Sequence, residues 1–213
     1  MGLWIKICGI TREGDARFVE RSGADAIGLV FSEKSPRFVT PEIAKAICLS
    51  LPETIQKVGV FVLPDWTKMR EILDQVPLDV IQWHGGPLDT EGFGRLADFG
   101  LPWIYAVRWS GEGALPNPPT AFRVLVEGRS DTAPGGTGQS WDYGLLSQVA
   151  SPLPLILSGG LAPETVGTAL KELRETPLAG VDVSTGVEKS PGIKDERKVR
   201  DFVQSVRDWE RRS

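Results

Sequence analysis

Eight short apolar runs, each set off by a turn and most followed by an amphipathic segment, recur along this chain from end to end. They are Leu3–Cys8, Ala26–Phe31, Val58–Leu63, Val80–Trp83, Trp103–Val107, Phe122–Val126, Leu153–Leu157 and Val181–Val183. Most are rich in Val and Ile, as parallel strands buried on both faces are. Helical patterns lie between them. Arg12–Arg21 sets Ala16, Phe18 and Val19 on one broad face, and Pro41–Leu49 opens with Thr40 as N-cap and proline at the first helical position. Asp65 plays the capping part before Trp66–Val76, Ala162-Pro163-Glu164 opens a helix running to Arg174, and Asp195–Arg211 is the last and longest. Between the fifth and sixth runs, Gly111, Gly113, Pro116, Pro118 and Pro119 predict a loop in place of a helix.

Strict alternation of strand and helix means a parallel sheet, and eight units admit a closed barrel. The expected fold is therefore α/β: a single-domain (β/α)8 TIM barrel over residues 1–213, with helix 5 missing or stunted. An open doubly wound sheet is the alternative, but no Gly-x-Gly-x-x-Gly follows the first strand. Apolar residues at 41% and charged residues at 24% fit a soluble globular chain rather than a disordered one. The net charge of −4 lacks the basic surplus of a nucleic-acid binder. No stretch of apolar residues is long enough for a membrane span, and the N-terminus lacks the features of a signal peptide. Cys8 and Cys48 lie far apart in unlike contexts, which argues against a disulfide framework. The expectation is a cytoplasmic enzyme, monomer or homodimer, with no membrane or nucleic-acid partner.

In such barrels the chemistry sits at the carboxyl ends of the strands. There the chain places Cys8-Gly9-Ile10-Thr11, Ser32–Arg37, His84-Gly85-Gly86, Arg108, Glu127-Gly128, Ser158-Gly159-Gly160 and Ser184-Thr185-Gly186. Side chains alternate along a strand. If Ile5 and Ile7 face the helices, Lys6 and Cys8 face the interior; likewise Asp182 and Ser184 face inward if Val181 and Val183 face out. The first and last strands are neighbours in a closed barrel, so Lys6 and Asp182 are expected to pair, since each is costly to bury alone.

With these residues in view, the chain resembles the phosphoribosylanthranilate isomerases. The resemblance is carried by Lys6-Ile7-Cys8-Gly9-Ile10-Thr11, Phe31 with Ser35-Pro36-Arg37, Val58-Gly59-Val60-Phe61 and Gln82-Trp83-His84-Gly85. It continues through Gly135-Gly136-Thr137-Gly138 with Trp141-Asp142, then Leu157-Ser158-Gly159-Gly160-Leu161, Asp182-Val183-Ser184-Thr185-Gly186-Val187-Glu188 and Pro191-Gly192-Ile193-Lys194-Asp195. Any one glycine motif is weak; the ordered set is specific. The resemblance implies an Amadori rearrangement of a small phosphosugar, with no cofactor and no metal. A general acid opens the furanose ring, and a general base then takes the proton from C2 of the sugar.

The resemblance makes Cys8 the base, where a strand-end position before Gly9 would give exposure and nearby amides. Cys48, in an apolar helical stretch, reads as core filler. At the end of strand six the family has aspartate, and this chain has Glu127, one methylene longer. Glu127 is favoured as the acid over Asp131, which lies further into the loop; an ion pair between Glu127 and Arg108 is the bland alternative. Arg37 is implied to bind the anthranilate carboxylate through its planar fork. His84 and Asp182 are placed near the substrate, although Asp182 can equally serve only to neutralise Lys6. Gly159, Gly160, Thr185 and Gly186 are expected to hold the phosphate, with Gly136 as a further contact or a hinge. Trp83 reads as packing. Two competing functions remain at this point: a sister isomerase of the histidine pathway acting on a bis-phosphate, which needs an aspartate pair where this chain has Cys8 and no clear acid at strand one, and a non-catalytic phosphosugar-binding barrel, which would keep Gly159 and Gly160 but would not need Cys8 or Glu127.

Overall fold

The computed structural model describes residues 2–128 and 141–212. Eight parallel strands close into a barrel in sequence order: β1 (Trp4–Cys8), β2 (Ala26–Val30), β3 (Gln56–Phe61), β4 (Val80–Trp83), β5 (Trp103–Trp109), β6 (Arg123–Gly128), β7 (Leu155–Ser158) and β8 (Leu178–Val183). The ring is sealed by β1 against β8, with Lys6 directly opposite Asp182.

Strand parity follows the sequence. Ile5, Ile7, Ile27, Leu29, Val124, Val126, Leu155, Leu157, Val181 and Val183 point outward and join one core with the helices. Trp4, Ala26, Val58, Val80, Ile104, Ala106, Leu125 and Ile156 plug the lower interior. Each fully buried aliphatic contributes about 1.5–3 kcal/mol, so these two layers are what hold the barrel shut. Above the plug the interior turns polar, with Lys6, Gln82, Ser158 and Asp182 all buried.

The outer layer is α1 (Glu13–Arg21), α2 (Pro41–Leu49), α3 (Trp66–Gln75), α4 (Thr90–Asp98), α5 (Val166–Glu172) and α6 (Glu196–Arg212). Thr40 caps α2 through Ile43 N, and Asp65 caps α3 through Thr67 N and Lys68 N, as expected. No helix forms between β5 and β6 among the described residues, which agrees with the glycine- and proline-rich stretch there. Among the described residues, the sixth unit carries only a 3-10 helix, Tyr143–Gln148, capped by Asp142.

Several expectations need correction. Helix α4 went unread, because Gly92 and Gly94 dilute its helical pattern. The helix expected from Ala162 begins only at Val166; Ala162–Thr165 form a turn closed by Val166 N to Ala162 O. The third strand ends at Phe61 rather than at Leu63, whose φ of 43° breaks the extended chain. Conversely, β5 and β6 run two residues further than expected, because Arg108 and Glu127 keep the ladder register. A two-stranded hairpin, β9 (Glu188–Ser190) and β10 (Ile193–Lys194), follows β8 and was not anticipated.

Candidate active site

Cys8 ends β1 and faces the interior with Val30 and Val60. It is only 9% exposed, so the expectation of an accessible thiol is corrected. The cause is Gly28 across the β1–β2 ladder, which lacks a side chain and lets the sulfur settle into the barrel wall. Burial pushes the Cys8 thiol up from its ordinary value; Lys6 and Lys194 pull against that rise.

The anticipated Lys6–Asp182 pair forms at 2.6 Å, with Lys6 fully buried. Burial pulls the Lys6 pKa down, but Asp182 and Cys8 outweigh it and hold the ammonium above its ordinary value. The other oxygen of Asp182 accepts from Ser158 Oγ at 3.2 Å. Ser158 in turn lies opposite Glu127 in the β6–β7 register. A contiguous polar line therefore runs across the mouth from β6 to β1.

Glu127 sits at the mouth with its side chain 18% exposed, 3.4 Å from Arg108 Nε and 3.7 Å from His84 Nε2. The pair with Arg108 is present, but Arg108 is half exposed, so the contact is screened and weak. Burial lowers the His84 pKa, with Glu127 pulling the other way, and the net shift favours the neutral imidazole. Glu127 and the Cys8 thiol stand three inter-strand steps apart at about 4.8 Å each along the wall, and less across the opening. Both side chains point inward from the same rim.

Gly9, at φ 77°, carries the chain from β1 into its loop, and a side chain there would overlap the stem of Arg37. Arg37 is thus laid against the loop next to Cys8. Its Nε donates to Glu188 Oε1 at 2.9 Å, and Nη2 donates to Glu188 Oε2 at 2.7 Å. Glu188 also takes Lys194 Nζ at 2.8 Å. Burial works against charge on Glu188, yet Arg37 and Lys194 hold its carboxyl below the ordinary range.

The loops after β7 and β8 lie side by side. Gly159 and Gly160 have φ of 86° and 69°, a backbone that turns their amides without a side chain in the way. Gly186 lies so close to the neighbouring loop that a side chain there would overlap Leu161 O and crowd Ala162 Cα. Tyr143 Oη donates to Gly159 O, and Trp141 Nε1 donates to Ser158 O, which pins the β7 end. The hydroxyl of Thr185 accepts from Arg37 Nη2 at 3.0 Å, so it faces the arginine.

The rim thus brings together Cys8, Arg37, His84, Glu127, Gly159, Gly160, Asp182, Thr185 and Gly186. Asp131 and Gly136 lie outside the described residues. Sequence reasoning quoted Ser158, Gln82, Glu188 and Lys194 within its motifs but gave none of them a role. Gln82 is 3% exposed, and its side-chain oxygen has no partner among the described residues. Pro191-Gly192 between Glu188 and Lys194 was the signal for a hairpin carrying opposite charges on its two arms. Trp83 packs outward, stacked on Trp66 at 5.1 Å, and Cys48 is core with its thiol pushed up to about 12 by burial. A cleft of about 450 Å³ between Trp66, Trp83, Leu88 and Arg95 lies outside the barrel, and none of the expected site residues lines it.

The chain is similar in sequence and fold to known proteins. A protein from Pseudomonas fluorescens (strain Pf0-1), named N-(5'-phosphoribosyl)anthranilate isomerase, is 45% identical over 208 residues, covering 95% of this chain and 97% of that protein. The crystal structure of phosphoribosyl anthranilate isomerase from Thermus thermophilus superposes with a TM-score of 0.83 at 30% identity, covering 97% of this chain and 99% of that one. A further isomerase structure, in complex with reduced 1-(O-carboxyphenylamino)-1-deoxyribulose 5-phosphate, has a TM-score of 0.77 at 32% identity with the same coverage. The family described as N-(5'phosphoribosyl)anthranilate (PRA) isomerase matches residues 5–205, and the chain belongs to that family.

Proposed function

We propose that this chain isomerises N-(5-phosphoribosyl)anthranilate to 1-(2-carboxyphenylamino)-1-deoxyribulose 5-phosphate, a step of tryptophan biosynthesis, using Cys8 as general base and Glu127 as general acid. Family membership carries the reaction. The observation that supports these roles is the placement of thiol and carboxyl on one rim, both facing inward, joined through Ser158, Asp182 and Lys6.

The chemistry divides between the two sides of the mouth. Glu127 gives its proton to the ring oxygen as the C1–O bond breaks, leaving an iminium at C1 and a hydroxyl at C4. Cys8 then removes the proton on C2, and the electron pair moves to form the enolamine. Proton return to C1 and loss of the enol proton give the ketone. His84 beside Glu127, its neutral form favoured by burial, fits a residue that shapes the acid's surroundings. Lys6 and Lys194 favour the thiolate that the second step needs. Asp182 has both oxygens engaged, which favours a supporting part through Lys6.

The substrate's phosphate is assigned to the amides of Gly159 and Gly160 and of Thr185 and Gly186, where two loops meet at the usual phosphate position of such barrels. The anthranilate carboxylate is assigned to Arg37. Two buried free thiols fit a reducing, cytoplasmic setting. Among the described residues no helix is long and apolar enough to cross a membrane. The reaction needs only one chain's residues, as monomer or homodimer.

The test is the decay of anthranilate-type fluorescence during turnover, read for Cys8→Ser and Glu127→Gln. Both variants are expected to lose at least about a hundredfold in kcat, the usual worth of a general acid or base, while Cys8→Ser still binds the reduced product analogue. Unchanged turnover in Cys8→Ser removes it as base. A fully active Glu127→Gln beside an inactive Asp131→Asn transfers the acid role to Asp131.

A further inference from the structure

Arg37 is not a loose arginine at the mouth. A guanidinium offers five N–H groups in one plane. Nε is committed to Glu188 Oε1, and the two hydrogens of Nη2 are committed to Glu188 Oε2 and Thr185 Oγ1. Nη1 has no hydrogen-bond partner among the described residues. The bidentate edge is therefore already filled by a carboxylate belonging to the protein.

Glu188 cannot readily yield that edge. Its side chain is 4% exposed, and Oε1 also accepts from Lys194 Nζ at 2.8 Å and from Gly192 N at 3.1 Å. Lys194, itself 1% exposed, is tied to the β8 end through Ser184 O at 3.3 Å. Displacing Glu188 would strip a buried carboxylate from two cations at once, a large penalty. On the other side, the arginine stem rests where Gly9 leaves room and cannot slide toward β1.

We infer that Glu188 is a positioning residue: it locks the Arg37 guanidinium so that the substrate's carboxylate is met by Nη1 alone. This rests on the assignment of the anthranilate carboxylate to Arg37 made above. Selectivity for a ring carboxylate is then set by a charge that a buried anion holds in place. Glu188 touches no substrate atom.

The experiment compares kcat/KM for N-(5-phosphoribosyl)anthranilate with that for the corresponding aniline compound, which lacks the ring carboxylate. Their ratio is the carboxylate preference, and a loss of folding integrity alone does not move it. Glu188→Gln is expected to lower the preference about tenfold or more, the worth of a charged hydrogen bond lost. Arg37→Met lowers it at least as far, and adding Glu188→Gln to Arg37→Met lowers it no further. Glu188→Asp keeps the charge with a shorter reach and falls between wild type and Glu188→Gln; it carries the test if Glu188→Gln does not fold. A wild-type preference in whichever of the two folds overturns the proposal. So does a raised preference, which would mean that Glu188 competes with the substrate. If Arg37→Met itself keeps the wild-type preference, the assignment of the carboxylate to Arg37 is what fails.

Discussion

Gly28→Ala tests how tightly the thiol is seated. An added Cβ at Gly28 would stand 2.7 Å from Cys8 Sγ, 3.1 Å from Cys8 Cα and 3.1 Å from Lys6 Cε. Non-bonded contacts relax near 3.5–4.0 Å, so the sulfur must retreat by about 1 Å. Backbone on one side and the Lys6 stem on the other leave it little room. Overpacking of this kind costs about 1–3 kcal/mol. At about 2–4 °C per kcal/mol for a domain of this size, Tm should fall by about 2–12 °C. A 1 Å misplacement of a reacting group costs about a hundredfold in rate, so kcat should drop by about that factor. Thermal melting and fluorescence-detected turnover read the two effects separately. Gly14→Ala is the control: nothing lies within 4 Å of its Cβ, in the first turn of α1. It should gain up to about 1 kcal/mol from helix propensity. Wild-type Tm and turnover in Gly28→Ala would refute the claim that this glycine seats Cys8.

Two further outcomes follow from the same geometry. Because Lys6 opposes the rise of the Cys8 thiol more strongly than Asp182 promotes it, the paired change Lys6→Met with Asp182→Asn should move the rising limb of kcat/KM against pH upward. The sign follows from the proposed role of Cys8 as base: activity would appear as the thiol loses its proton, and removing the cation makes that loss harder; a limb shifted downward or unmoved would show that Lys6 does not act on Cys8. Gly186→Ala would drive a Cβ into Leu161 O and within 3.0 Å of Ala162 Cα, backbone that cannot swing aside. It should part the two loops and raise KM for the phosphorylated substrate at least about tenfold, a loss of one or more charge-assisted hydrogen bonds, and steady-state kinetics at fixed pH would expose an unchanged KM.

The barrel was legible because a strand buried on both faces has to be apolar, and eight such runs leave few other architectures. Where the reading slipped, a local signal was outweighed by a tertiary one. Arg108 and Glu127 look like loop residues by polarity, yet they extend β5 and β6, because the interior at the mouth is wet enough to accept charged side chains. Helix α4 carries two glycines, but Asp89 accepts from Gly92 N, and Leu88 and Phe93 sit at the spacing of a hydrophobic staple. Those capping residues held the information that the interior of the helix lacked.

For the site, parity and strand polarity fix two coordinates: which rim a residue occupies and whether it faces in. They do not fix who stands beside it around the ring. Lys6 and Asp182 were paired correctly only because closure makes β1 and β8 neighbours. No comparable rule joins Arg37 to Glu188, 151 positions later, since that contact is made between a loop and a hairpin that pattern reading did not find. The same gap explains the thiol. A strand-end cysteine before glycine reads as exposed, but its burial is decided by an absent side chain on the next strand, and its ionisation by that burial, with Lys6 and Lys194 from the hairpin pulling against it. For Cys8 to act as the proposed base at this depth, cations must compensate the lost water, and Lys6 and Lys194 are the groups that pull its pKa down.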